Sequence, residues 1–345
     1  MARQIQNTLY VMTPNSYIHL ENDTLRVDVE HVKKLQVPLH HLGSVVCFGD
    51  IMVSPALMHR CADEGIALVF LDRNGRFKAR LEGAVSGNIL LRQAQHKLAL
   101  DEKFALSMSR SMIAGKLRNG RQILLRGARE AADKQDGSAL AAVGDMLANS
   151  LRNLPFAADL DVVRGIEGDA ARNYFAMLPL LVKKESRQNF AMNGRTRRPP
   201  RDRFNALLSF LYSMLMNDCR SALEATGLDP QLGFLHVVRP GRAALALDMM
   251  EEFRAIFADR LALTLINRGQ IVVNDFSVHE GGAVLLDGEA RRTVVVAYQE
   301  RKQEEVMHPL LETKVPIGLL PLLQARFIAR TLRGDMEDYL PFIYR

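Results

Sequence analysis

No run of about 18 consecutive apolar residues occurs anywhere in the sequence, so no membrane-crossing helix is expected. The opening stretch MARQIQNTLYVMTP holds no apolar segment of the kind a secretion signal carries, and a cytoplasmic chain is expected. Cysteine is scarce: Cys47, Cys61 and Cys219 are far apart, odd in number and form no CxxC pair. That excludes a disulfide scaffold and argues against a cysteine zinc site. Tryptophan, internal repeats and low-complexity segments are absent too.

What is present is ordinary soluble composition, 48% hydrophobic and 24% charged over 345 residues, enough for a sizeable core and about two domains. The formal charge is +6 and the pI near 9.3. This is a modest excess, so a nucleic-acid partner requires the positive charge to be clustered.

The first eighty-odd residues read as strands: Thr8–Met12, Tyr17–Leu20, Leu25–Val29, Val45–Phe48, Ala67–Leu71 and Phe77–Leu81. Asn22-Asp23 and Asn74-Gly75 are the hairpin signals, and Pro55–Glu64 reads as one helix with Ser54 as its N-cap. From Leu90 onward helical spacing recurs, through Leu98–Leu117, Ile123–Ala132, Ala139–Leu151, Ala170–Leu181, Arg203–Ala225, Leu245–Arg268, Pro309–Leu311 and Ile317–Arg333. A β-branched stretch, Gln270–Leu286 with Arg292–Ala297, predicts a small hairpin over the helices. The expected class is α+β: a β-rich domain over 1–85, a linker over 86–92 and an all-α domain over 93–345.

Three segments could carry chemistry. In GIEGDAARNYF, glycines 165 and 168 bracket Glu167 where a helix is expected to begin; the same glutamate is equally a solvated side chain complementing the helix dipole. In GFLH, His236 sits in a loop beside apolar residues, a setting that also suits a structural histidine. In LALDMMEEFR, Asp248 and Glu251 are three residues apart on one helical face; they repel unless a cation lies between them, and the plainer reading is a solvated acidic face that includes Glu252 and Arg254. Taken together, two carboxylates and an imidazole suit Mg²⁺ or Mn²⁺, the imidazole favouring Mn²⁺. Charge is clustered as well. Lys183, Lys184, Arg187, Arg195, Arg197, Arg198, Arg201 and Arg203 face only Glu185 and Asp202, and Arg118, Arg121, Arg126 and Arg129 form a second series. Such clusters suit phosphate backbones, or a well-solvated surface. The other histidines, including His40-His41, His279 and His308, read as structural.

These motifs resemble the CRISPR-associated spacer-acquisition integrase family ("Cas one"). The resemblance spans the chain: the β-rich start, GIEGDAARNYF, RPPRDRFNALLSFLYSML, GLDPQLGFLHVVRPGRAALALDMMEEFR and PLLQARFIARTLRGDMEDYLPF, with the tail and length similar to the subtype I-C branch. It implies a β-rich domain that builds a homodimer, a helical catalytic domain, and a metal site on Glu167, His236 and Glu251. Asp248 matches the nearby acidic position, backing those ligands or joining them on occasion. It implies double-stranded DNA with single-stranded ends and CRISPR repeat DNA as partners. The small protein "Cas two" is implied as the centre of a heterohexamer. The chemistry implied is 3′-hydroxyl transesterification. Arg172, Tyr174 and Arg242 are expected at the site or at DNA, as are the basic residues of 183–201. The alternatives are a metal-dependent repair or junction nuclease and a non-catalytic DNA-binding scaffold.

Overall fold

The computed structural model describes residues 7–73, 75, 77–83 and 89–344, and the chain divides into two units, Met1–Gly87 and Asn88–Arg345. The first unit is strand-rich. Strands β1 (Asn7–Val11), β5 (Leu42–Phe48), β7 (Ala67–Leu71) and β8 (Phe77–Arg80) form one sheet in the order β1-β5-β7-β8. A second sheet, β4-β3-β2-β6, is built from β2 (Ser16–Glu21), β3 (Thr24–Val29), β4 (Val32–Pro38) and β6 (Met52–Val53).

The sequence logic is visible here. β2 and β3 pair from Ser16↔Val29 to Glu21↔Thr24, closing on Asn22, whose φ of 54° suits asparagine. Helix α1 (Pro55–Glu64) starts where Ser54 accepts a hydrogen bond from Leu57 N–H and stops at left-handed Gly65. Losing such a cap costs about 1 kcal/mol. Ile18, Leu25, Leu57 and Leu68 are fully buried, each contributing about 1.5–3 kcal/mol by leaving water. Strand β4 is not evident in the sequence. It is an edge strand whose Lys33 and Lys34 interrupt the apolar pattern, as edges exposed to water tolerate. Of the second hairpin signal, Asn74 lies outside the described residues; β7 and β8 do pair antiparallel across it, Leu71↔Phe77.

The second unit is mostly helical: α2 (Ile89–Ala99), α3 (Glu102–Glu130), α4 (Lys134–Asn153), α5 (Leu160–Met177), α6 (Lys184–Arg187), α7 (Arg203–Ala225), α8 (Ala244–Met250), α9 (Arg260–Asn267), α10 (Gly288–Gln303) and α11 (Leu320–Leu332). The expected linker over 86–92 falls partly on residues outside the description and partly on the first turn of α2. The unit is not all-α. Strands β9 (Phe276–Val278) and β10 (Val284–Leu286) make one hairpin, and β11 (Glu305–His308) and β12 (Thr313–Pro316) make another.

Several expectations are corrected. Arg292–Ala297 is helical, because Ala290, Val294 and Tyr298 recur at helical spacing and all are buried. Pro309–Leu311 belongs to the turn between β11 and β12, closed by a hydrogen bond from Glu312 N–H to His308 O. The two helices expected over 98–132 are a break at Asp101 followed by one 29-residue helix. Asp101 caps it, accepting from Lys103 and Phe104 N–H. The Asn119-Gly120 pair, which falls between the two expected helices, is instead a buried part of α3. Asn119 Nδ2 donates to Glu252 O and Phe342 O, while a Cβ at Gly120 would stand 3.4 Å from the Tyr174 ring. The single helix expected over 245–268 is likewise broken. After α8 the chain turns at Glu251–Phe253 and makes a π-helical turn, Arg254–Asp259, before α9.

Candidate metal centre

Helix α5 starts earlier than the sequence suggests. Asp159 caps it, accepting hydrogen bonds from Asp161 and Val162 N–H, both at 2.9 Å. Glu167 therefore projects from the helix interior rather than its first turn, and the helix dipole does not account for its place. The glycines on either side are not explained by packing. A Cβ at Gly165 or Gly168 would meet nothing within 4 Å. Each costs an exposed helix about 1 kcal/mol relative to alanine, and both leave the flank of α5 beside Glu167 open to solvent.

His236 is held from behind. Asp248, on α8 and 0% exposed, takes the His236 ring nitrogen Nδ1 at 2.5 Å with Oδ1, which also accepts His236 N–H at 3.0 Å. Its Oδ2 accepts Phe234 N–H at 2.7 Å and Leu235 N–H at 3.0 Å. One carboxylate thus folds the whole GFLH loop around itself. Gly233 permits this, since a Cβ there would lie 2.4 Å from Asp248 Oδ2 and 2.7 Å from the Ala244 carbonyl carbon. With Nδ1–H donated to Asp248, the neutral imidazole keeps its lone pair on Nε2, the arrangement usual for a metal-ligating histidine. Asp248 itself has no oxygen left over for an ion. Arg164 Nε donates to Leu235 O at 2.8 Å, tying α5 to the histidine loop.

Glu251, at the C-terminal end of α8, is 3% exposed. Its Oε1 pairs with Arg254 Nη2 at 2.9 Å. Its Oε2 lies 2.8 Å from the Lys116 ammonium. Burial alone would raise this carboxyl; Arg254, then Lys116, overcome it and hold it down at about 2, so Glu251 is ionised. Lys116 also hydrogen-bonds Glu167 Oε1. The structure therefore brings Glu167 and Glu251 onto one ammonium, with His236 held on Asp248, three residues before Glu251. Among the described residues, no three His, Cys, Asp or Glu side chains stand close enough to hold an ion between them; Lys116 occupies the gap.

The surroundings are cationic and aromatic. The Arg254 guanidinium lies 4.9 Å from the Tyr212 ring centroid, and Arg195 lies 5.2 Å from the same ring. The hydroxyls of Tyr212 and Tyr174 donate to Asp259 at 2.6 and 3.0 Å. Burial pushes the Asp259 carboxyl up to about 6 against the pull of both tyrosines. Lys116, Gly120, Tyr174, Tyr212, Arg254 and Asp259 line part of one small recess. The reading of Glu252 and Arg254 as a solvated face is wrong. Glu252 is fully buried and accepts from Tyr339 hydroxyl, Gln324 Nε2 and Phe342 N–H, pinning the C-terminal segment. Burial raises its carboxyl to about 8 despite these donors.

The expected DNA contacts sort differently. Tyr174 is buried and faces Asp259, so it buttresses the centre and cannot meet DNA. Arg195 is half-buried and donates to Asn205 Oδ1 and Ser209 Oγ, stitching its loop to α7. Lys184 pairs with Asp133, Arg172 with Asp169, and Arg201 with Gly281 O. Lys183, Arg197 and Arg198 are exposed. Burial lowers the Arg242 guanidinium first, and the neighbouring Arg239 lowers it further. Sequence reasoning missed Lys116, Arg164 and Tyr212. Only Arg254 carried a signal, its position three residues beyond Glu251 on the same face.

The family model described as CRISPR associated protein Cas1 matches residues 9–300. A relative from Moorella thermoacetica, "CRISPR-associated endonuclease Cas1 1", is 56% identical over 339 residues, covering 98% of each chain. Among solved structures, one chain of a "Cas6-RT-Cas1--Cas2 complex" is similar at TM-score 0.82 and 25% identity, over 99% of this chain and 36% of that one. A "Casposase bound to integration product" is similar at TM-score 0.83 and 20% identity, over 99% of this chain and 95% of that one, a likeness of fold.

Proposed function

This chain belongs to the CRISPR-associated Cas1 family, and we propose that it is a divalent-metal DNA integrase and endonuclease that inserts short captured DNA at CRISPR repeats. The observation that carries the reading is the Asp248–His236 pair. A fully buried carboxylate fixes the imidazole so that Nε2 is left free, and the ionised Glu251, three residues along from that carboxylate, shares the Lys116 ammonium with Glu167. Glu167, His236 and Glu251 would hold Mg²⁺ or Mn²⁺, a donor set of two hard carboxylates and one borderline imidazole. Such an ion, when bound, would supply Lewis-acid neutralisation of charge on the phosphoryl oxygens.

The chain's own residues do the rest. Asp248 sets the tautomer and direction of His236. Arg254 keeps Glu251 ionised and oriented, and Tyr212 backs Arg254. The open flank at Gly165 and Gly168 leaves room for a phosphate backbone to approach Glu167. Lys183, Arg197, Arg198 and Arg242 are the candidates to hold that backbone. A 3′-hydroxyl of captured DNA attacks a phosphodiester at one end of the repeat. A new P–O bond forms as the P–O bond to the displaced 3′-oxygen breaks, and that oxygen leaves with a proton. A second attack joins the opposite strand. No covalent enzyme intermediate is required. With water as the attacking group, the same centre hydrolyses DNA, the activity for which the Moorella relative is named.

A partner resembling the Cas2 of the complex with the similar solved chain is part of the proposal, as are a homodimer built on the strand-rich unit and a heterohexamer. The test is an integration assay. Labelled short DNA with free 3′-hydroxyls is mixed with repeat-bearing plasmid, Mn²⁺ and the small partner, using native protein and Glu167→Ala, His236→Ala and Glu251→Ala. Label joined to plasmid by the native chain alone is expected. Label released but never joined means a nuclease, and equal behaviour of all four proteins removes the centre.

A further inference from the structure

Two carboxylates cannot share a small, dry space without a cation, and here two cations are available. They are not equivalent. Arg254 is fixed: its side chain is 8% exposed, it pairs with Glu251 three residues away, and its guanidinium lies against Tyr212. Lys116 is not fixed in that way. Its only polar partners among the described residues are the two carboxylates, Glu167 Oε1 and Glu251 Oε2. It comes from α3, a helix that carries neither of them. The helix itself is anchored immediately around it. Leu117 is 2% exposed, and a Cβ at Gly115 would lie 2.8 Å from Pro341 Cβ and 3.2 Å from Glu252 Cγ. The backbone at 116 thus stays in place while a four-carbon arm ends in a compact, rotatable point charge.

We propose that Lys116 is the resident counter-cation of the centre: its ammonium bridges Glu167 and Glu251 in the metal-free chain and must swing out for a divalent ion to reach both carboxylates. The inference rests on the reading of Glu167, His236 and Glu251 as ion ligands. It assigns Lys116 a positioning role. In the metal-free state it draws two like charges together, preserving the spacing of the carboxylates. The same contact makes ion entry a competition, because one positive charge must vacate the gap that two positive charges will fill. The doubled charge of a divalent ion and its ability to take carboxylate and imidazole lone pairs as ligands favour the exchange. The exchange is specific to Lys116; Arg254, on the other oxygen of Glu251, can remain paired throughout.

Two measurements on the full chain test this. In the first, Mn²⁺ is titrated calorimetrically into native protein and into Lys116→Met, which keeps the length of the arm and removes its charge. The variant is expected to bind Mn²⁺ at least tenfold more tightly, to melt lower than native protein in EDTA, and to gain more on Mn²⁺ addition. In the second, native protein is acylated briefly in EDTA or in Mg²⁺, and lysine modification is read by peptide mass spectrometry. Lys116 is expected to be protected in EDTA and reactive in Mg²⁺. This needs no variant, so it decides the matter if Lys116→Met does not fold. Equal or weaker Mn²⁺ affinity in the variant, or Lys116 reactivity indifferent to Mg²⁺, overturns the proposal. Glu167→Ala and Glu251→Ala, titrated alongside, separate the two failures. If they lose Mn²⁺ binding, the ion site stands and only the role of Lys116 is in question. If they bind Mn²⁺ as native protein does, the ion site itself falls, and this inference with it.

Discussion

Replacing Asp248 by asparagine changes no shape and removes one charge, and the donors around the side chain set the cost. Four of them converge on it: the backbone N–H groups of Phe234, Leu235 and His236 and the ring nitrogen Nδ1 of His236. An amide can accept at only one end. With its NH₂ toward Phe234 and Leu235, two buried donors face a third. With its NH₂ toward His236, one backbone N–H is orphaned, but Nδ1 can become an acceptor by moving its proton to Nε2. The second orientation loses less. Its cost is one buried unsatisfied N–H and the charge assistance of the rest, about 2–4 kcal/mol in total. It also changes the chemistry, because a protonated Nε2 has no lone pair to offer an ion. Mn²⁺ affinity should fall by about 10–100-fold. Urea unfolding and calorimetric Mn²⁺ titration of Asp248→Asn, with Asp248→Ala beside it, measure both. A variant that binds Mn²⁺ within threefold of native protein would refute the assignment of Asp248 as keeper of the tautomer.

Neighbouring atoms dictate further outcomes. Gly233→Ala places a Cβ 2.4 Å from Asp248 Oδ2 and should destabilise the chain by about 1–3 kcal/mol in urea unfolding while lowering strand joining; a neutral result would mean the loop is not gripped as described. Gly165→Ala and Gly168→Ala should do the reverse to stability, raising it by about 0.5–1 kcal/mol each since nothing opposes the new Cβ, yet reduce strand joining if a backbone approaches there; full activity in both variants would leave that flank without a function. Asp259 is raised from 3.8 to about 6 by burial, against the donors Tyr212 and Tyr174. A carboxyl raised on folding stabilises the fold below its unfolded value and loses that contribution as pH climbs through the folded value. Native protein should therefore lose on the order of 3 kcal/mol relative to Asp259→Asn between about pH 4 and pH 6, read by urea unfolding at both ends. A pH-independent difference would show that Asp259 is ionised throughout.

Much of the fold is legible in the sequence because its signals are local. Asn22 at a left-handed turn, Ser54 at a helix start and the shift to helical spacing near Leu90 each report the conformation of a few residues, and the structure has them where they are expected. The failures share one physical cause. Asn119-Gly120 resembles a break, yet α3 runs through it, since the asparagine serves two distant carbonyls and the glycine admits the Tyr174 ring. Val294 and Val295 look like a strand, yet their spacing to Ala290 and Tyr298 buries one helix face. In each case tertiary packing overrides a local preference, and packing is not written in a window of ten residues.

The site divides along the same line. Its acidic and imidazole groups are legible because they lie in short motifs with glycine and aromatic neighbours. The groups that control them are not. Asp248 and Glu251 read as one acidic face three residues apart, yet they do opposite things. Asp248 turns inward and exhausts its oxygens on a loop, whereas Glu251 turns one oxygen to Arg254 and the other to the Lys116 ammonium. What separates them is which cations and donors the fold brings to each, and those arrive from α3 and from the π-helical turn after α8. A lysine in the middle of a long helix is ordinary in sequence; it acquires meaning only when Glu167 and Glu251 are found on its ammonium. Motifs can therefore nominate the residues of such a centre, but not its resting charge state. For this chain the resting state, with an ammonium where an ion is expected, is what the Mn²⁺ titration of Lys116→Met interrogates.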